Sequence, residues 1–207
     1  MSEERELVRQ AKAGSATAFE ALVTAYESKI YNLSLRYLGN REDAMDASQE
    51  VFLRVFRFLP GFQEESGFST WIYRIAVNVC KDALAQRAKR TEQPLEYQNE
   101  DEESRILEIP DERYRPEELV EQRELKGLLA DAILTLPEQQ RQMIIMRDVQ
   151  GLRYEEIGEI LSLELGTVKS RISRAREKLR KKLLQNGNNL GYLPSKEAKG
   201  GKSDENL

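Results

Sequence analysis

Between Thr167 and Lys182 the chain carries Lys169, Arg171, Arg174, Arg176, Lys178, Arg180, Lys181 and Lys182 against one acid, Glu177. A basic helix alone says little, because solvated Lys/Arg faces are ordinary. What precedes this one gives it meaning: a short helix predicted over Tyr154–Leu161, a turn over Ser162–Leu165, and a longer helix from about Thr167. Ile157, Leu161, Val168, Ile172 and Leu179 recur at helical spacing and face inward. Lys169, Ser170, Ser173, Arg174 and Arg176 are left pointing outward or sideways. That is the layout of a helix-turn-helix, whose second helix enters the DNA major groove with its N-terminal residues against base edges. Arg or Lys can take guanine bidentately and Ser or Thr can meet any base, while flanking basic side chains hold phosphates. Arg180, Lys181 and Lys182 lie too far along the helix for base edges and suit phosphate or solvent.

A second constellation lies in the first half. Phe62, Phe68, Trp71 and Tyr73 crowd the loop from Gly61 to Gly67, interleaved with Arg74, Asn78 and Lys81. Aromatics beside a loop serve equally as core or as stacking platforms for unpaired bases, and both readings stand at this point. Asp43, Asp46, Gln49 and Glu50 form a polar row on one helix face, with a solvated surface as the plain alternative. A carboxylate-bridged di-metal bundle would use Glu-x-x-His pairs, and the chain has no histidine. One cysteine, Cys80, forms neither a disulfide framework nor a thiolate zinc site within the chain, and reads as a small buried core residue. No catalytic residues, metal or cofactor are therefore expected.

These side chains are positioned by helices. Ser15 suits an N-cap for a helix with Phe19, Leu22, Val23, Tyr26, Ile30 and Leu33 on one side, stopped by Gly39. Asn40 caps a second, whose apolar face is Ala44, Ala47, Val51, Phe52, Val55, Phe56 and Leu59, ended by Pro60-Gly61. Ser69 caps a third, with Trp71, Ile72, Ile75, Ala76, Val79, Ala83 and Leu84. A shorter helix precedes Gly14. In the second half Pro116 suits a first turn before Leu125, Leu128, Leu129, Ala132, Ile133 and Leu136, and Pro137 restarts the chain into Met143–Met146. Strand alternation is nowhere visible. The expected fold is all-α: two small helical domains, at 5–92 and 119–185, joined by a flexible acidic linker, the second containing the helix-turn-helix.

Charge separates these parts. Residues 93–118 hold ten acids against Arg105, Arg113 and Arg115, with three prolines, and read as a self-repelling linker. This stretch makes a chain with a basic helix acidic overall, at −4. Residues 186–207, with four glycines and no apolar period, read as a disordered tail. A 33% charged fraction favours several small cores over one large one. The acidic N-terminus is unlike a signal peptide and no apolar run approaches the roughly 20 residues of a membrane span, so a soluble cytoplasmic protein without membrane insertion is expected.

Taken together, Asp43-Ala-Met-Asp-Ala-Ser-Gln-Glu-Val-Phe52, Phe68-Ser-Thr-Trp-Ile-Tyr-Arg-Ile-Ala-Val-Asn78, Leu136-Pro137-Glu138, Tyr154-Glu-Glu-Ile-Gly158 and Gly166-Thr-Val-Lys-Ser-Arg171 resemble the extracytoplasmic-function (ECF) sigma factors of bacterial RNA polymerase. The strings occur in that family's order and span nearly all of residues 5–185. The resemblance implies a transcription initiation factor, not an enzyme, that binds core RNA polymerase and brings it to promoter DNA. It implies that Asp43, Asp46, Gln49 and Glu50 meet the clamp helices of the largest polymerase subunit. It assigns the loop 61–68 to capture of a flipped −10 base, with Phe68, Asn78 and Asp82 at the pocket and Trp71 and Tyr73 shaping it. Lys169, Ser170, Ser173 and Arg174 would read the −35 element, with Thr167 and Arg176 on the same helix and Arg147, Tyr154 and Glu155 supporting the backbone contacts. An anti-sigma protein, often membrane-bound in this family, is the further partner implied. Met45, Ser48, Glu164 and Ser173 depart from the commonest family pattern. A two-domain helix-turn-helix regulator acting without polymerase is the alternative. A recombinase-like enzyme would need a nucleophile or metal cluster that the sequence does not display.

Overall fold

The computed structural model describes residues 3–92 and 116–190, with side chains described over 3–89 and 125–185. The acidic linker lies outside the described residues as far as 115, and so does the expected tail from 191; residues 116–118 and 186–190, expected in linker and tail, are helical instead. Four helices form the first unit: α1 (Glu3–Lys12), α2 (Ala16–Leu38), α3 (Arg41–Phe58) and α4 (Phe68–Glu92). Four more form the second: α5 (Pro116–Leu134), α6 (Glu138–Ile144), α7 (Tyr154–Leu161) and α8 (Leu165–Leu190). No strand occurs among the described residues.

Local chemistry sets most boundaries. The Ser15 hydroxyl accepts the Ala18 N–H at 3.3 Å, and Asn40 Oδ1 accepts that of Asp43 at 3.0 Å, each satisfying an otherwise orphaned donor. Gly39 ends α2 in the left-handed region (φ 76°), returning its N–H to Leu35 O. Three sequence expectations need correcting. α4 starts one residue before Ser69, because the Gly67 carbonyl already accepts the Trp71 N–H at 3.1 Å. Phe56 is not core but 66% exposed: the buried positions of α3 run Ala44, Ala47, Ser48, Val51 and Val55, and Phe56 sits about 100° off that stripe. Its ring meets Phe19 edge-on at 5.3 Å. On α5, Leu125 is 58% exposed and Leu129 is also exposed, while Ala132 and Ile133, and Leu136 just past its end, are buried.

The apolar run Met143–Met146 does not continue as an α-helix. α6 passes into a π-helical turn, Ile145–Val149, closed by Gln150 N–H to Ile145 O at 2.9 Å. The buried residues also do not split into several small cores. One contiguous apolar cluster runs from Val8 and Tyr26 in the first unit through Ile133 and Met146 to Ile172 and Ala175 in the second. Cys80 sits within it as expected, its thiol 3.7 Å from the Ser34 hydroxyl and pushed up to about 11 by burial.

Candidate nucleic-acid interface

The corner between α7 and α8 is made almost entirely of backbone. Arg153 opens α7: the Glu156 carboxylate accepts its N–H at 2.7 Å and its guanidinium at 3.1 Å. At the other end Ser162 takes the left-handed conformation (φ 54°) and its N–H returns to Gly158 O. The Leu163 N–H also reaches Gly158 O, at 2.9 Å. A Cβ on Gly158 would stand 2.8 Å from Leu163 O, so the chain can fold back this tightly only where no side chain intervenes. Ile157, Ile160, Val168, Ile172 and Ala175 are buried beneath the corner.

That packing aims the outer face of α8 at solvent. Lys169, Ser173, Arg174 and Arg176 are exposed, and Thr167 and Ser170 are half-buried. The Ser170 hydroxyl donates to Thr167 O at 3.0 Å and receives Arg174 Nη2 at 3.3 Å. Arg176 is held from the side by Asp148, Nε at 3.1 Å and Nη2 on the second oxygen, an arrangement that raises its already high pKa. Asp148 comes from the π-helical turn, as does Arg147, which lies over the Tyr154 ring at 4.7 Å and donates to Leu152 O at 2.8 Å. Arg147, Tyr154 and Arg176 thus form one ledge along the side of α8, with Glu155 exposed next to it. Asp148, which orders that ledge, carried no sequence signal.

In the first unit the aromatics fall into two ranks. Phe62, Phe68 and Tyr73 are buried, and Trp71 is half-buried with its indole stacked on Phe62 (4.7 Å, 28° between planes). Phe68 is further enclosed by Tyr26 at 5.4 Å. The loop is braced from below by Lys12, which donates to Phe62 O at 2.6 Å and to Glu64 at 3.1 Å. Lys12 is a positioning residue that sequence periodicity gave no reason to select. Asn78 and Asp82 are exposed further along α4. Tyr73 donates its hydroxyl to Gln150 Oε1 at 3.0 Å, and burial, with the Glu156 charge, pushes its pKa up to about 12.

A groove between α3 and α4 collects the acidic row. Asp43, Asp46, Glu50 and Asp82 line it together with Arg54 and Arg87. Arg54 donates to Glu50 at 2.6 Å and to Asp82 at 3.3 Å, linking the row on α3 to α4. Gln49 is exposed on the same helix. Beside these polar groups α3 displays Met45, Leu53 and Phe56, with Phe58 at its end, an exposed apolar set that periodicity placed elsewhere or overlooked.

Residues 22–90 match the model of Sigma-70 region 2, and residues 126–179 that of Sigma-70, region 4. The chain is 38% identical over 181 residues to the ECF RNA polymerase sigma factor SigW of Bacillus subtilis, covering 86% of this chain and 96% of that one. It is 37% identical to the ECF RNA polymerase sigma-E factor of Escherichia coli K12, covering 86% and 92%. In fold it is similar to the sigma factor RpoE of Bartonella quintana, solved in complex with the anti-sigma factor NepR, with a TM-score of 0.64 and 20% identity over 81% of this chain and 96% of that one.

Proposed function

The chain belongs to the ECF sigma factors of bacterial RNA polymerase, initiation factors that bind core polymerase and direct it to promoter elements, and from that premise we propose the division of labour among its residues. The second unit reads duplex DNA at −35. Lys169 and Arg174 take base edges by their charged donors, Ser170 and Ser173 complete the pattern, and Thr167, Glu155 and the ledge of Arg147, Tyr154 and Arg176 seat the neighbouring phosphates. The first unit takes the melted strand near −10. Trp71, half-exposed on its Phe62 support, is the stacking surface; Asn78 and Asp82 supply polar contacts; Phe68 and Tyr73 shape the loop from within. Capturing an extruded base offsets an unstacking cost of only a few kcal/mol, so a modest pocket suffices to favour opening. Asp43, Asp46, Gln49 and Glu50 face core polymerase.

The domains are proposed at 5–92 and 119–185, with the acidic segment as linker and residues beyond 185 leaving the second domain. The protein acts in the cytoplasm, where polymerase is, and the bond chemistry belongs to the polymerase. No helix among the described residues is long and apolar enough to cross a membrane. An anti-sigma partner fits the exposed apolar side chains of both units, Met45, Leu53 and Phe56 on one and Leu125, Leu129 and Leu184 on the other. The observation that carries the residue assignment is the pairing, on one chain, of an exposed basic helix with a braced aromatic loop. Run-off transcription with purified core polymerase over a promoter library tests it. Expected is a stable complex with core and asymmetric −35/−10 sites. Tight binding to two-fold symmetric duplex sites without polymerase would overturn it.

A further inference from the structure

The loop from Gly61 to Gly67 is shaped from outside, by the last residue of α1. Main-chain bonds close its two ends: Phe62 N–H reaches Leu59 O at 3.1 Å, and Gly67 O receives Trp71 N–H at 3.1 Å. Between those ends Glu64 takes the left-handed conformation (φ 59°). That region disfavours a residue with a Cβ by about tenfold against the right-handed one, and such a residue persists where its surroundings over-determine it. Lys12 supplies that determination. Its ammonium donates to Phe62 O at 2.6 Å and to Glu64 Oε1 at 3.1 Å, and stands 5.9 Å from the centre of the Phe62 ring. The lysine side chain is only 26% exposed, so water screens the pair less than it would one in open solvent.

We propose that Lys12 and Glu64 form a latch that sets the base-capturing conformation of this loop, so that a residue of α1 decides how tightly the −10 strand is held. Lys12 acts through Phe62 and Glu64 rather than on the strand, which makes it a positioning residue. One ammonium controls two walls of the site. Through the Phe62 carbonyl it steadies the ring on which Trp71 stacks at 4.7 Å, and through the Glu64 carboxylate it holds the exposed turn. The far end of α1 bears on the same aromatics: Tyr26 donates to Glu4 at 2.6 Å and sets its ring edge-on to Phe68 at 5.4 Å.

A loop ordered before the strand arrives spares the cost of ordering it on binding. The apparent affinity for the strand falls in proportion to the fraction of loops in the competent form. Loss of the latch therefore weakens capture without removing any group that touches a base.

The effect on capture rests on the promoter reading above, whereas the latch itself does not. The test uses the full chain, free and bound to core polymerase. In the free chain, hydrogen exchange read by mass spectrometry should be several-fold faster over residues 62–67 in Lys12→Met, with α2 and α3 unchanged. With polymerase and a −10 single-stranded oligonucleotide, Lys12→Met should weaken capture by about tenfold, the share of a hydrogen bond to a charged group. Binding to core and to −35 duplex should hold. Lys12→Arg keeps a charged donor and should recover to within about threefold of wild type. In a Glu64→Gly background the turn needs no support and the ion pair is gone, so the same Lys12→Met change should cost only about threefold. Should Lys12→Met fold poorly, the exposed Glu64→Gln removes one side of the latch without touching packing and should move exchange and capture in the same direction. Unchanged exchange in these variants, or an equal loss of capture in both backgrounds, overturns the latch. The expected exchange differences in a protein whose wild-type complex takes no −10 strand leave the latch standing and remove the promoter reading.

Discussion

The residues proposed to meet nucleic acid lie mostly inside the first unit and on the outside of the second. Phe62, Phe68 and Tyr73 are buried and only Trp71 offers part of a ring, whereas Lys169, Ser173 and Arg174 stand in solvent on α8. On the proposed assignment, the difference follows from what each substrate presents. Duplex DNA displays its donor and acceptor pattern on its own surface, so a convex helix on a rigid corner can read it. An unpaired base has to be taken out of water on a flat face, so its receptor is a braced ring over a packed interior. Stability and recognition are therefore separable in the second unit and merged in the first.

The variant with the largest expected effect strikes where they merge. Trp71→Ala should weaken capture of a −10 single-stranded oligonucleotide by the polymerase complex by about 1–3 kcal/mol. It should also lower the melting temperature, while leaving the −35 footprint in place. Equal loss at both elements would dissolve the contrast.

Gly158→Ala attacks the corner that keeps the second unit's readers free. Alanine is ordinarily about 1 kcal/mol better than glycine inside a helix. Here the new Cβ meets a backbone oxygen at 2.8 Å, and overpacking of this kind costs about 1–3 kcal/mol. Net destabilisation of up to about 2 kcal/mol, read by denaturant unfolding, should come with a fainter −35 footprint. A stabilised variant would show that the corner relaxes.

Lys169→Ala sharpens the comparison from the exposed side. It should lower −35 discrimination by about 1 kcal/mol and reduce the salt dependence of promoter binding by roughly one charge, with the unfolding midpoint unchanged. A shifted midpoint would mean that reading and folding are coupled in this unit too. The smallest effect is expected for Asp148→Ala. The Arg176–Asp148 pair is well exposed, and such pairs contribute about 0–1 kcal/mol. Stability should barely move, while the freed Arg176 changes phosphate contact, visible as altered footprint intensity beside the −35 element.

What could be read from the residues was largely what is local. Ser15, Gly39 and Asn40 fix helix ends through bonds three or four residues away, and α7 has the bounds its spacing predicts. Phe56 and Leu125 were misplaced because a helical period identifies a stripe but not which flank has a neighbour. The π-helical turn was hidden because Met143–Met146 is apolar on every side, so periodicity carries no register there. In the candidate site, the outward set on α8 was legible and Asp148, Lys12 and Arg54 were not. Each acts across at least 28 residues of sequence, on Arg176, Phe62 and Asp82. The seam between the units joins Tyr37 to Gln142 and Tyr73 to Gln150, contacts that only the tertiary arrangement creates.

The corner at Gly158 and Ser162 has a consequence for how such a protein can diversify. Because main-chain groups turn the chain there, Lys169 and Ser173 carry no duty in holding the scaffold. Their identities can drift, or be exchanged wholesale, without a toll on foldedness. New target sequences are then reached by substitution at a few solvent-facing positions on an unchanged frame, and duplicated copies of the gene could part company in the promoters they serve long before they differ in shape.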